Sequence, residues 1–245
     1  MCTHSGAISN VTSGILTIRM HPASLPQEII ERLQRRRGRL HVFDALDARR
    51  TALVVIDMQR SFVAPDAASA VPAARAIVPN INRLAAALRG AAGVVAWVQA
   101  TYKRSGPGYW PLFFDHMVSP ALSGEILGGL VEGSSGHALW PELDVRPGDL
   151  HAQKNRYSAF FPGASDLPAR LRERGVDTVL IAGTMTNVCC ESSARDAMMD
   201  GYKTLLVSDA NAARSDAEHL ASLATVAQFF GDVRSVDEVL EILLK

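Results

Sequence analysis

Residues 177–190 read DTVLIAGTMTNVCC. The first half is an unbroken apolar run between an acid and a glycine, as expected of a strand buried on both faces. The second half leads into ESSARDAMMD, a segment of helical character that Gly201 closes at a C′ position. A strand running directly into a helix is half of a βα unit, so the stretch argues for a parallel sheet. It also places Cys189 beyond the strand's carboxyl end, at the first turn of a helix. Unpaired backbone N–H groups and the helix macrodipole favour thiolate over thiol there. Position alone therefore marks Cys189 as a candidate nucleophile.

The same alternation extends in both directions. TALVVI (51–56) is a second continuous apolar run, and residues 73–89 place Ile77, Ile81, Leu84 and Leu88 at helical spacing. VVAWVQ (94–99) predicts another strand. Further strands are predicted over 149–153, 203–207 and 232–235, with helices over 167–174, 187–200, 216–230 and 236–244. Six strands alternating with helices predict a three-layer α/β/α, Rossmann-like architecture: a doubly wound, six-stranded, mostly parallel sheet. Ligands bind such sheets beyond the carboxyl ends of the strands. One connection, 101–147, is long, rich in glycine and proline, and carries Trp110 and Trp140. A segment of that length reads as wall and lid of a site.

Composition narrows the function. With 245 residues, the chain has the length of one large domain. Its 25 basic and 25 acidic side chains balance, which gives no electrostatic argument for nucleic acid or an anionic membrane. No run approaches the ~18 apolar residues of a membrane span, and residues 1–19 lack the pattern of a secretory leader. Three cysteines, at 2, 189 and 190, form no disulfide framework, so a reducing, cytoplasmic setting is expected. Residues 1–50 read as an N-terminal extension, partly disordered or in contact with a neighbouring copy, and 51–245 as the functional domain. Within the extension, 26–37 predicts a short polar helix, and Arg32, Arg35, Arg36, Arg37 and Arg39 read as a solvated face.

Three chemistry-bearing side chains fall at strand ends: Asp57 after TALVVI, Lys154 after the 149–153 strand, and Cys189 after TVLIAG. Each alone suits a turn former, a solvated amine or an inert thiol. Their convergence on one rim of the sheet shifts the balance toward a shared site. Cys190, about 100° further round a helix, fits as a small buried hydrophobe. Trp97, Tyr102, Trp110, Tyr157 and Phe160 lie on or after strand ends, and Tyr157 and Phe160 are the ones expected in the pocket. Arg156 suits a clamp for a substrate carboxylate. Gln59 and Asn187 read as turn or cap groups beside the site, with Gln59 in reach of substrate, and His219 reads as structural.

IDMQ (56–59) with Phe62, Lys154 with YSAF (157–160), and GTMTNVC (183–189) continuing into ESSARDA (191–197) resemble the three signatures of the isochorismatase-like cysteine hydrolases. The resemblance runs from about residue 50 to the C-terminus. It implies an Asp57–Lys154–Cys189 triad in which Cys189 forms a thioester-like acyl enzyme, Asp57 carries the proton and Lys154 holds the charge between them. It also implies a cis peptide at Thr184–Met185, with the N–H groups of Met185 and Cys189 as oxyanion hole. Nicotinamidases of this fold carry an Asp-x-His metal pair after the second strand. Here ATYKR (100–104) holds no such ligands and Asp115-His116 comes at the wrong spacing, so no metal or other cofactor is expected. The cysteine argues against vinyl-ether hydrolysis. The resemblance thus implies cleavage of a C–N bond in a small amide, ureido or N-carbamoyl compound, as by ureidoacrylate and N-carbamoylsarcosine amidohydrolases, in a homodimer or tetramer. Two other readings stay open: a catalytically inactive binding or scaffold member of the fold, and a thiol-based redox or acyl-transfer protein.

Overall fold

The computed structural model describes residues 19–243; Cys2 and the first 18 residues of the extension expected to be partly disordered lie outside them. Six strands form one sheet: β1 (Thr51–Ile56), β2 (Val94–Ala100), β3 (Leu150–Lys154), β4 (Thr178–Thr184), β5 (Lys203–Ala212) and β6 (Asp232–Arg234). They lie in the order β3-β2-β1-β4-β5-β6, and every pairing is parallel. Successive strand residues face opposite sides, so the apolar runs build two cores. Leu53, Val55, Leu180, Ala182, Leu205 and Val207 pack on α3 (Val78–Gly90) and α8 (Val236–Leu243). Val54, Ile56, Val98, Val179, Ile181 and Leu206 pack on α5 (Leu167–Glu173), α6 (Glu191–Met199) and α7 (Asp216–Phe229). Among the described residues no helix is long and apolar enough to cross a membrane.

Strand order reverses between β1 and β4, which opens a crevice beyond their carboxyl ends. Gly183 makes that junction possible. Its φ is +116°, and a Cβ there would stand 2.1 Å from the Ile56 carbonyl oxygen. The next strand runs further than its sequence suggests. Beyond Val207 the β4–β5 register shifts, and Asn211 fills the irregularity by donating from Nδ2 to the carbonyls of Ile181 (2.8 Å) and Val207 (2.7 Å).

The 101–147 segment is more regular than expected. It contains a π-helical turn, Leu112–Met117, and α4 (Pro120–Leu130), whose first turn Ser119 caps by accepting from Leu122 N. Gly124, Gly128 and Gly129 hide that helix in the sequence, since each lowers helix propensity by about 1 kcal/mol. Gly129 has a packing reason: a Cβ would lie 2.6 Å from Ser61 Oγ, which instead donates to the Gly129 carbonyl at 3.1 Å. Ser61 sits in α2 (Arg60–Val63), the short turn after β1.

Ahead of β1, α1 (Gln27–Arg37) seats Ile29 and Leu33 in the core beside α7. Its arginines are not merely a solvated face. Arg32 donates to Gln228 Oε1, Arg36 to the Gln228 carbonyl at 2.8 Å, and Arg37 to the Ala227 carbonyl at 3.2 Å. They satisfy the carbonyls that the last turn of α7 leaves without helical partners.

Gly183→Ala is expected to lower unfolding free energy by about 3 kcal/mol or more, through both φ and the Ile56 clash. Gly148→Ala, at φ +97° with nothing within 4 Å of the added carbon, should cost only about 1–2 kcal/mol. Urea unfolding of the two variants makes the comparison; equal losses would mean the close approach to Ile56 is relieved at no cost.

Candidate active site

Lys154 closes β3 and Asp57 follows β1, with β2 between them. Neighbouring strands lie about 4.8 Å apart, so roughly 10 Å separates the two backbones and only a long side chain spans the end of β2. Lys154 does so: Nζ reaches Asp57 Oδ2 at 2.7 Å, with the two side chains 0% and 1% exposed. Nζ also donates to the Arg156 carbonyl at 3.2 Å. Asp57 sits at φ +53°, outside the range favoured by L residues. Its N–H donates to the Val98 carbonyl (2.9 Å), and its own carbonyl accepts from Thr184 Oγ1 (2.9 Å). Neighbouring strands therefore hold it in that conformation. The second carboxylate oxygen, Oδ1, is buried without a hydrogen-bond partner.

Cys189 lies in a π-helical turn, Thr186–Cys190, that runs into α6. The turn closes on the Met185 carbonyl, which accepts from Val188 N and Cys190 N, both at 3.1 Å. His219 braces it from behind, with Nδ1 2.9 Å from Thr186 Oγ1, while Ser222 Oγ donates to the Thr186 carbonyl at 3.1 Å. Burial pushes His219 down to about 4, so its ring is neutral at physiological pH. Cys189 lines a cavity of about 240 Å³, together with Tyr157, Met185 and Val188. Cys190 is wholly buried in the core.

The electrostatics reverse one expectation. Burial pushes the Cys189 thiol up to about 12; the Lys154 charge opposes this, and the charge of Asp57 adds to it. The helical turn does not overcome desolvation, so the resting group is a neutral thiol. Burial is the largest influence on Lys154 and acts the other way, but the surrounding acidic groups, Asp57 foremost through its charge and its hydrogen bond, together outweigh it, and the ammonium stays well above its ordinary range. The resting site thus combines a tight ammonium–carboxylate pair, a free carboxylate oxygen and a protonated thiol that feels both charges. Such a set can move a proton from sulfur to carboxylate as the sulfur bonds to an electrophile.

Other sequence-predicted positions divide. Tyr157 lines the cavity and packs edge-on against Trp110 with ring centroids 4.8 Å apart. Met185 also lines it, and the Thr184–Met185 peptide is cis. Phe160 does not reach it: the preceding Ala159 N–H is tied to Ser193 Oγ at 3.0 Å, and the ring turns inward onto Tyr202. Gln59 is occupied by backbone, accepting from Ala100 N (2.8 Å) and donating to the Ala100 (3.1 Å) and His137 (3.0 Å) carbonyls. It joins the β1 turn to the 101–147 segment. Arg156 donates to its neighbour's carbonyl at 2.7 Å and lies over the Trp110 ring, beside a separate hollow. Trp97 is core, its indole N–H donating to Asp149.

Sequence reasoning missed Arg214. It lines the Cys189 cavity, is exposed, and has no ion-pair partner among the described residues. Ending β5 at Val207 left Arg214 in an unplaced loop. Carrying the strand through Asn211 and Ala212 puts it on the rim. Among the described residues, no three His, Cys, Asp or Glu side chains gather as a metal-binding group.

Residues 51–238 match the family model described as an isochorismatase domain. The ureidoacrylate amidohydrolase RutB of Pseudomonas savastanoi pv. phaseolicola is 33% identical over 205 residues, covering 77% of this chain and 81% of the relative. Among solved structures, a cysteine hydrolase from Pseudomonas syringae pv. phaseolicola superposes with a TM-score of 0.74 at 31% identity, over 83% of this chain and 96% of that one. An N-carbamoylsarcosine amidase from Thermoplasma acidophilum gives a TM-score of 0.61 at 26% identity, over 77% and 97%.

A thiol held at about 12 should react slowly with iodoacetamide at neutral pH. Its rate should climb about tenfold per pH unit between pH 7 and 10, because thiolate is the limiting species. Peptide mass mapping of Cys189 alkylation against pH checks this; a plateau near pH 7 would mean that the dipole and Lys154 dominate after all.

Proposed function

The chain belongs to the isochorismatase family, and on that premise we propose that it is a cysteine-dependent amidohydrolase working through a covalent acyl enzyme on a small amide, ureido or N-carbamoyl substrate. The observation that carries this reading is the buried Lys154–Asp57 pair with Oδ1 left free, near enough to Cys189 for both charges to act on its thiol. A neutral thiol needs a base at the moment of attack, and Asp57 is the carboxylate that interacts with it.

In this mechanism Cys189 Sγ attacks the carbonyl carbon while its proton passes to Asp57 Oδ1. The carbonyl oxygen becomes an oxyanion, stabilised by the N–H groups of Met185 and Cys189. Asp57 then protonates the leaving nitrogen, the C–N bond breaks, and an amine or ammonia departs from the thioester. Water attacks next: Asp57 takes its proton, the C–S bond breaks, and the thiol recovers a proton. Lys154 keeps a positive charge beside each transient anion and prevents the carboxylate from rotating. Arg214, rather than Arg156, is the cation suited to a substrate carboxylate. The ureidoacrylate and N-carbamoylsarcosine activities of the relatives support a ureide as the scissile unit.

Ammonia release from a ureide panel is the expected activity, and Cys189→Ala should reduce it by about 10³-fold or more. Intact-mass spectrometry of the wild type under turnover should show the acyl adduct; full turnover by the alanine variant would end the covalent mechanism.

Asp57→Asn should remove activity to a similar extent and also cost about 3–5 kcal/mol, because it strands a buried ammonium. The double variant Asp57→Asn/Lys154→Met should regain most of that stability but no activity. Parallel unfolding and kinetic measurements separate the two effects, and recovery of turnover in the double variant would rule out the proton shuttle.

Arg214→Gln should raise KM for carboxylated ureides about tenfold and leave kcat within about twofold, the signature of lost uniform binding. Steady-state kinetics with a carboxylate and its neutral amide analogue test this; equal effects on both would exclude a carboxylate contact.

A further inference from the structure

Much of the lining of the Cys189 cavity is apolar and is supplied by the 101–147 segment. Phe113, Val118, Leu122, Ile126 and Leu130 belong to it, together with the buried Tyr102. Leu122, Ile126 and Leu130 recur every four residues, so α4 presents one continuous stripe. That stripe faces the cavity, which leaves Leu122 and Ile126 only half-buried. The wall is anchored: Tyr102 N donates to the Leu130 carbonyl at 3.0 Å, and Ser61 pins Gly129. It continues a buried cluster containing Phe114 and Leu127. A polar group set against this surface would give up water and find no hydrogen-bonding side chain on the stripe.

We propose that the substrate carries a branched aliphatic or aromatic group that seats against α4, with a carboxylate at Arg214 and its scissile carbonyl at Cys189. The substrate class is therefore an N-carbamoyl or N-acyl amino acid with an apolar side chain, in preference to unsubstituted ureido acids. The scissile unit in this assignment rests on the amidohydrolase reading; the apolar subsite and its carboxylate neighbour rest on the cavity lining alone.

The kinetic test uses N-carbamoyl derivatives of glycine, alanine, valine, leucine and phenylalanine. Each methylene buried on the stripe should raise kcat/KM about fourfold, so the leucine compound should exceed the glycine compound by on the order of 100-fold. Ile126→Asp should reduce that ratio to below about fivefold. The binding test needs no turnover: calorimetry should find 4-methylpentanoate bound at least about 30-fold more tightly than acetate. A flat or reversed kinetic series, with both acids bound alike, overturns the apolar subsite and leaves the amidohydrolase reading standing. Tight, selective binding of the branched acid with neither the N-carbamoyl series nor the matching N-acyl amino acids hydrolysed supports the subsite and removes the amidohydrolase reading.

Discussion

An ammonium and a carboxylate 2.7 Å apart, both shut off from water, impose more on this molecule than any other contact. Desolvating two charges costs several kcal/mol each, and close approach with good geometry offsets that cost. The fold supplies the geometry by stacking β1, β2 and β3 in parallel register, so that Lys154 spans the end of the middle strand. It supplies restraint by pinning the Asp57 backbone between Val98 and Thr184. An apolar pair of similar volume would stabilise the fold at least as well, so the pair is better understood through the chemistry proposed for it. Its field also shapes the thiol. Lys154 draws Cys189 toward ionisation and Asp57 opposes it, so burial dominates and the sulfur rests protonated.

Two layers of support surround that pair. Behind the turn that carries Cys189, His219 and Ser222 of α7 hold Thr186 by its hydroxyl and carbonyl. The helix that carries them is held in turn from both ends. At its start, Asp216 accepts from Arg19 and meets His21, each at 2.6 Å, and His21 stacks on His219. At its close, the arginines of α1 occupy its last carbonyls. Residues that precede the first strand therefore contribute to the rigidity of the turn bearing Cys189. In the cavity that Cys189 lines, α4 forms a wall fixed by a glycine small enough to admit Ser61.

The legible and illegible parts of the site separate on physical grounds. TALVVI and TVLIAG announce central strands because burial on both faces leaves no room for polar alternation. Asp57, Lys154 and Cys189 were readable as residues at the ends of such strands. Side-chain direction was not: Phe160 and Tyr157 stand three residues apart, and contacts remote in sequence, Ala159 with Ser193 and Phe160 with Tyr202, accompany the turn of Phe160 away from the cavity. Gln59 could not be told from a substrate ligand because its partners, Ala100 and His137, are remote in sequence. Arg214 stayed hidden because the bulge in β5 depends on Asn211 reaching across to β4. The helix in the 101–147 segment was masked by glycines whose purpose is packing.

From residue order alone came the alternation of strands and helices, the parallel three-layer architecture, and the rim on which an acid, an amine and a thiol must lie. Those features follow from local periodicity and from the restriction of parallel sheets to buried apolar strands. Tertiary structure decided the ionisation state of the thiol, the residues that face the cavity, and the apolar character of much of its lining. Each of these depends on which groups exclude water from which others. That is a property of surfaces brought together from distant parts of the chain, and no window of sequence contains it.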